Sequence, residues 1–544
     1  MLSSDIDVWD TLNQPYNYNI LIRNIYFKKK KFLRKTYNNW IGKISKPFSN
    51  DIDWWVNVIG ERNNLNSDLF HYFCILETLN ELKKKKINIE TIKVDSIYLK
   101  KIILKKNFLV KNIVTGKLIK KDFLKILKII FYQTFIFILA KFYKKDFNSE
   151  ISIIDYFIVG NSLSTQRYYG ELENKIKKYK NVFFVPTIVN TNILDLTRLV
   201  KNIRYKKNFF LKESLINTSN FFQSIFYFTR LKKFNKKYRN ILNYDLSEIV
   251  KDELQCLRNY NTIIISLNNY FFFKSLKEKK FNIKTSVNWF ENTAVDKGWN
   301  FGLNKFFKNV NSYGYQGFTC YKDFLCLDPV KHEAQYKLIP NKIIIIGKKY
   351  FKPKIEFYNK LKILQGYAFR FSYLSKQFLK NKNLILVCLN LDNKINKDLI
   401  DIINQSQFLK KEKIVFKIHP ALRFNKKDFI NKNYIISEEP FEYLIGRSKA
   451  LITAGSSSTI IESVCNGVPV IIPFKDCMTE FSLEMINLPK KLYKICEYKK
   501  NFDKDLKYIL NKKNILSLKK IRNLKKNYFN INKSNKLINF DKIF

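Results

Sequence analysis

Two short stretches carry the residue types that could do chemistry. One is His419-Pro420, directly after the apolar run 414–418; the other is Gly455-Ser456-Ser457-Ser458-Thr459, directly after the apolar run 450–453. A glycine, three serines and a threonine between an apolar run and a helical one suit an anion, most simply a phosphate. Gly455 lets the backbone turn tightly out of a strand. The hydroxyls then land on the first turn of a helix, where free N–H groups meet the positive end of the helix dipole. The bland alternative is that serines are simply good N-caps; the density of hydroxyls favours the anion site. His419 is one of only three histidines, with His71 and His332. Proline after it biases it towards extended backbone. That presents the imidazole at a strand end, able to donate to a phosphate oxygen or to move a proton. Glu462 reads two ways: Thr459-x-x-Glu462 matches a capping box, and the same carboxylate could accept a ribose hydroxyl.

Holding these residues takes a parallel sheet. The runs 414–418, 450–453 and 468–473 alternate with segments of helical character, the pattern of β-α-β units. In such sheets ligands sit beyond the carboxyl ends of the strands. A helix is expected over 459–466, closed by Gly467 at its C′ position.

The order strand, His-Pro, helix, strand, Gly-Ser-Ser-Ser-Thr, helix with Glu462 and Gly467-Val-Pro-Val-Ile resembles the donor half of GT-B-fold glycosyltransferases. It is most similar to bacterial capsule and surface-polysaccharide enzymes, among them sialyl-, polysialyl- and Kdo transferases and CDP-glycerol glycerophosphotransferases. The likeness covers the last third of the chain. It implies an α/β fold of two Rossmann-like domains facing a cleft, with a nucleotide-sugar donor as substrate and no separate cofactor. His419, Ser457, Ser458 and Thr459 would serve the nucleotide phosphate and Glu462 the ribose, with Pro420, Gly455 and Ser456 completing the donor site. A CMP-linked donor is the base the His-Pro likeness favours. No metal is expected, which fits a GT-B mechanism in which fixed positive groups and helix-terminal N–H groups stabilise the leaving phosphate.

Upstream, residues 286–328 read SVNWFENTAVDKGWNFGLNKFF followed by Tyr313-Gly314-Tyr315-Gln316-Gly317. These elements resemble a family of surface-carbohydrate biosynthesis proteins, a likeness that reaches back to the Trp54-Trp55 pair. A GT-B enzyme would use a carboxylate from this half to deprotonate the acceptor hydroxyl. Glu291 is the first candidate and Asp296 the second, both placed on a helix with Asn292 and Lys297. Five residues apart, they do not share a helix face. A helix-start Glu and a solvated Asp are the structural alternatives. Gln316 and Gly317 are expected to line the cleft. Trp54 and Trp55 are most simply core anchors, with sugar stacking as the alternative.

Composition sets the frame. At 544 residues, 46% of them hydrophobic, the chain is long enough for two or three domains. The formal charge of +53 is lysine-rich and spread over the chain. No nucleic-acid motif or Arg-rich face accompanies it, so the charge predicts attraction to nucleotide donors, anionic glycans and acidic lipid. Eight cysteines without C-x-x-C spacing read as reduced thiols, with Cys320 and Cys326 flanking a short strand. The first residues have no secretory pattern. The run 129–140, flanked by Lys125, Lys128, Lys141, Lys144 and Lys145, is too short to span a bilayer. It reads as a buried helix or as a basic interfacial one. Strands are expected at 18–25, 87–93, 97–104, 151–159, 182–189, 262–267 and 384–391.

The expected organisation is an acceptor-side domain over 1–335, a nucleotide-sugar domain over 336–500 and a basic helical tail over 501–544. The crossing between domains is expected between 328 and 353. The expected activity is transfer of a sugar to a cell-surface polysaccharide precursor at the cytoplasmic membrane face. A sugar-nucleotide epimerase or hydrolase, or a non-catalytic scaffold of polysaccharide assembly, would use the same framework.

Overall fold

The computed structural model describes all residues except 1–5, 13–18, 117–122, 144–149, 160–167, 171, 177, 190, 320–323, 376–381, 391, 420–433, 456, 476, 498, 512–516 and 532–542. Its strands are β1 (Ile6–Asp10), β2 (Ile89–Val94), β3 (Val110–Thr115), β4 (Glu150–Val159), β5 (Val182–Val189), β6 (Asn282–Trp289), β7 (Asn311–Gln316) and β8 (Lys342–Ile345). They continue with β9 (Ile363–Gln365), β10 (Leu384–Cys388), β11 (Ile414–Lys417), β12 (Ile435–Ile436), β13 (Ser448–Thr453), β14 (Val470–Ile472) and β15 (Tyr493–Ile495). Two six-stranded sheets run in the orders β5-β4-β6-β7-β8-β9 and β12-β11-β10-β13-β14-β15, and β1-β2-β3 form a third, small sheet. Every named strand pair is parallel. Parallel sheets need both faces covered, which is why central strands such as Leu384–Cys388 are apolar throughout and buried at every position. The chain is therefore an α/β protein of two Rossmann-like domains, each built on a six-stranded parallel sheet, with a small additional sheet in its first half.

The domain limits shift from those expected. β8 and β9 pair onto β7, so the first sheet runs on to Gln365, and the crossing lies between Gln365 and Leu384. The boundary at 335 fails because the apolar run 338–346, which ends at Gly347, adds a strand to the first sheet instead of opening the second domain. The helix Phe502–Leu510 buries Phe502, Leu506 and Ile509 in the core of the second domain, so that domain does not stop at 500. Beyond it, the helix Leu518–Tyr528 leads back to the first domain. Asn530 N–H donates to Ile346 O at 2.6 Å and Asn530 O accepts from Ala368 N at 3.0 Å. Tyr528 at the same time donates its hydroxyl to Ile486 O at 3.0 Å, tying the second domain.

Three expected strands are helices. Asn19 caps the helix Ile20–Ser45, accepting from Leu21 N at 2.9 Å. Ser96 caps Ile97–Lys105, accepting from Leu99 N at 3.3 Å. Residues 262–267 lie inside the long helix Tyr260–Glu278. Each was a short apolar run, for which periodicity alone does not separate strand from buried helix. The short strand between Cys320 and Cys326 is not seen on the described side, where Leu325–Leu327 form a 3₁₀ turn. The six described cysteines are free thiols. No helix among the described residues is long and apolar enough to cross a membrane.

Candidate active site at the strand ends

Within the second sheet, β10 lies between β11 and β13. His419, half-buried, follows β11 by two residues, and Gly455 follows β13 by two. Because the strands are parallel, both emerge at the same carboxyl edge, separated by the end of β10. Asn390 at that end fixes the loop, donating from Nδ2 to Ala454 O at 3.0 Å. Gly455 has φ +67°, and a Cβ there would stand 2.8 Å from Asn390 Nδ2. Both the backbone angle and the close approach call for glycine. Asn390 is in turn held by Asn396, which accepts from Asn390 N at 2.7 Å and donates to Asn390 O at 2.8 Å.

Ser457 is the N-cap of the helix Ser458–Cys465 and accepts from Thr459 N at 3.3 Å; its hydroxyl also bonds the Thr459 hydroxyl at 2.6 Å. The expected helix over 459–466 thus starts one residue earlier. Gly467, φ +67°, closes it as expected. Gly467 N–H donates to Val464 O at 3.0 Å and Val468 N–H to Ser463 O at 2.9 Å, the two bonds of a Schellman ending. Thr459 is not the cap, so Thr459-x-x-Glu462 is not a capping box. Glu462, buried, instead accepts the hydroxyl of Tyr373, which lies on the crossing between the domains. Its carboxylate therefore faces the interdomain side of its helix. Pro420 and Ser456 lie outside the described residues.

The first-domain candidates separate. Glu291 is half-buried just past the carboxyl end of β6 and accepts from Trp289 Nε1 at 2.9 Å. Neither Glu291 nor Asn292 is on a helix, since the helix begins at Ala294. Asn292 instead makes a left-handed turn, φ +56°, a conformation asparagine tolerates better than most residues. Asp296 is buried in the capping box of that helix. It accepts from Thr293 N at 3.0 Å, Thr293 Oγ1 at 3.1 Å, Asn288 Nδ2 at 2.7 Å and Glu291 N at 3.2 Å. Burial pushes its carboxyl up to about 8, with Asp155 and Glu291 adding to the rise while the donors from Thr293 and Asn288 oppose it. Asp296 thus shapes the turn that presents Glu291, and it is not the solvated aspartate that was its structural alternative.

The remaining motif residues are structural. Lys297 donates to Glu61 O at 3.0 Å and pairs with Glu333 at 2.9 Å, fully buried. Gly298 lets its helix meet Tyr260–Glu278: a Cβ there would stand 2.0 Å from Ser266 O. Gln316 is buried and Gly317 packs on Trp289 and Tyr315. Trp54 and Trp55 are fully buried and donate to Ser45 Oγ at 2.8 Å and Ser49 O at 2.9 Å, so neither offers a face to a sugar. His71 bonds the Tyr26 hydroxyl at 2.6 Å, and His332 stacks on Trp55 with burial lowering its pKa to about 3. Asp-x-Asp spacing, a sequence sign of divalent-metal binding, occurs at Asp5/Asp7, Asp51/Asp53 and Asp503/Asp505. Asp5 lies outside the described residues, and the fold gives the other two pairs internal partners. Asp53 takes Arg230 and Lys233, both at 2.7 Å, and Asp51 caps Asp53 N at 3.0 Å. Asp503 accepts from Gln407 N at 3.1 Å and Asp505 pairs with Lys494 at 3.6 Å.

No protein-family model matches the chain, and no curated protein does. Among solved structures it is similar to the calicheamicin glycosyltransferase CalG4, at 9% identity and TM-score 0.40 over 70% of this chain and 94% of that one. It is similar to the UDP-GlcNAc 2-epimerase from Neisseria meningitidis bound to UDP-GlcNAc, at 12% identity and TM-score 0.38 over 70% and 95%. It is also similar to the wall teichoic acid polymerase TagF, at 12% identity and TM-score 0.33 over 75% and 92%. At these scores the overlaps are partial.

Proposed function

We propose that the chain is a metal-independent glycosyltransferase that moves a sugar from a nucleotide-activated donor to a surface-polysaccharide precursor. The observation that carries the reading is the strand-end cluster: the Gly455–Ser457 loop runs into the first turn of Ser458–Cys465 on the same sheet edge as His419. Donor phosphate would sit over that helix start, where N–H groups, the dipole and the hydroxyls of Ser457, Ser458 and Thr459 meet negative charge as it develops on the leaving group. His419 would donate to the same phosphate. Glu462 would take a ribose hydroxyl, exchanging or sharing its bond to Tyr373. Glu291, at the carboxyl edge of the first sheet, would accept the proton of the acceptor hydroxyl.

Incubation with a panel of CMP-, UDP- and GDP-sugars, with and without glycan acceptor, tests this reading. A transferase consumes donor only when acceptor is present. Sugar released or inverted from donor alone would favour the hydrolase or epimerase alternative. Glu291→Gln should bind donor within about twofold of wild type while turnover falls at least about 100-fold. Loss of donor binding in that variant would refute the base role.

The membrane contact belongs to the same proposal, with the helix Phe123–Lys141 as its carrier. Over 129–140 one face of this helix is buried through Gln133, Ile136, Phe137 and Ala140, with Ile129, Tyr132 and Phe135 packed against the core, as a buried helix would be, while the other face is exposed. Leu124, Phe131 and the adjoining Phe142 are 67%, 60% and 75% exposed. The helix carries Lys125, Lys128 and Lys141 and no carboxylate. An apolar face with a purely cationic rim fits an anionic lipid surface. Sedimentation with phosphatidylglycerol vesicles should capture the protein, and phosphatidylcholine vesicles should capture far less. Phe131→Ser with Phe142→Ser should weaken capture at least about tenfold, since each buried phenyl contributes about 1.5–3 kcal/mol. Equal capture of the variant would remove this helix from the account.

A further inference from the structure

A cavity of about 620 Å³ opens at the amino-terminal ends of β7, β8 and β9. Glu291 lies at the opposite, carboxyl edge of the same sheet, so this cavity is separate from the site described above. Lys308, Lys337, Lys342, Lys360 and Lys362 line it, and no Asp or Glu does. None of the five has a carboxylate partner among the described residues, whereas the buried Lys354 close by in sequence pairs with Asp328 at 3.4 Å. Five like charges around one cavity repel one another and lower the energy of any anion that enters.

The walls are preformed and of mixed character. Asn304 donates from Nδ2 to Lys337 O at 2.9 Å, and Asn341 donates from Nδ2 to Val310 O at 3.2 Å and from N to Ser312 Oγ at 2.9 Å. Phe307, Tyr358 and Leu361 supply the flat or apolar surfaces on which a sugar ring rests. The volume falls within the roughly 300–1,000 Å³ of small-molecule sites. No arginine lines it, and an open cavity of this size is not the long backbone-tracking groove with successive stacking platforms that single-stranded nucleic acids need.

We propose that this cavity binds an acidic oligosaccharide, a short run of sugars bearing carboxylates. The proposal stands apart from the transferase reading, because none of its residues belongs to the strand-end cluster.

Calorimetric titration of trigalacturonate into the full chain tests it, with maltotriose as the neutral trisaccharide and a thymidine trinucleotide as the non-sugar anion. One variant combines Lys308→Gln, Lys337→Gln, Lys360→Gln and Lys362→Gln, all exposed positions. A charge-matched control replaces the exposed Lys83, Lys84, Lys85 and Lys86 by Gln. The expected result is binding of trigalacturonate to wild type and no binding of maltotriose. The affinity should fall at least tenfold in the cavity variant and less than twofold in the control, with both melting as wild type does. Lys360→Arg with Lys362→Arg should retain binding, since the charge remains. Absence of trigalacturonate binding to wild type would overturn the proposal. So would an equal loss in both variants, which would mean a general effect of net charge. Binding of the trinucleotide as tightly as trigalacturonate would likewise overturn it.

Discussion

Replacing Ser457 and Ser458 together by alanine should lower turnover on the nucleotide-activated donor at least about 100-fold, the usual scale for removing preformed donors to a developing negative charge. His419→Ala should do the same. The structure separates this effect from damage to the fold. Ser457 is the N-cap of its helix, so its loss costs about 1 kcal/mol and a melting shift of a few degrees. Ser458 caps nothing, and His419 lies half-buried beyond the end of β11. Ser96→Ala is the matched control, because Ser96 caps Ile97–Lys105 in the other half of the chain. It should melt slightly early and retain full turnover. If the Ser457/Ser458 variant loses no more activity than Ser96→Ala, the hydroxyls are caps and nothing else.

The largest effect on stability is expected at Glu333. Arg62 reaches it through Nε at 3.0 Å and Nη2 at 2.9 Å, Lys297 at 2.9 Å, and all three side chains are fully buried. Asn292 Nδ2 and Val330 N complete the shell at 2.9 and 3.1 Å. Glu333→Gln leaves two buried cations without their counter-ion and should cost about 3–5 kcal/mol. Burial alone would raise the Glu333 carboxyl; Arg62 and Lys297 outweigh it and hold it at about 2. A carboxyl whose folded pKa lies below its unfolded value near 4.5 stabilises fully above that pH. The contribution fades as pH falls towards 2 and amounts to about 3 kcal/mol. Wild type should therefore lose stability steeply between about pH 4.5 and 2, and Glu333→Gln should lose less over that range from a lower starting point. Adding Lys297→Met to Glu333→Gln should recover part of the loss. An unchanged denaturation midpoint in Glu333→Gln would contradict this picture of the core.

This cluster also shows why a motif can be visible in a sequence while its job is not. In WFENxxxDKGxxxG the acids, amide and lysine look like chemistry. In the fold, Asp296 caps a helix, Lys297 and Asn292 satisfy Glu333, and Gly298 lets two helices touch. Thr293-x-x-Asp296 has capping-box spacing, and Gly298 and Gly302 are four apart on one helix, so both signals were present in the letters. Their partners, Glu333 and Ser266, are distant in sequence, and only the tertiary fold identifies them. The second domain was easier to read. Its strands are short β-branched runs set off by His-Pro, Gly-Ser and Gly-Val-Pro, and residues at strand ends inherit their position from the sheet. The first domain hides strands and helices behind equally short apolar runs. Packing decides those, as it did for residues 97–104 and 262–267.

The central claim is tested most directly by titrating CMP, CDP, UDP and GDP calorimetrically into wild type and into the Ser457→Ala/Ser458→Ala variant. Saturable binding of at least one nucleotide to wild type, weakened tenfold or more in the variant, is the result predicted. No nucleotide binding to wild type, or equal affinity in both proteins, would contradict it.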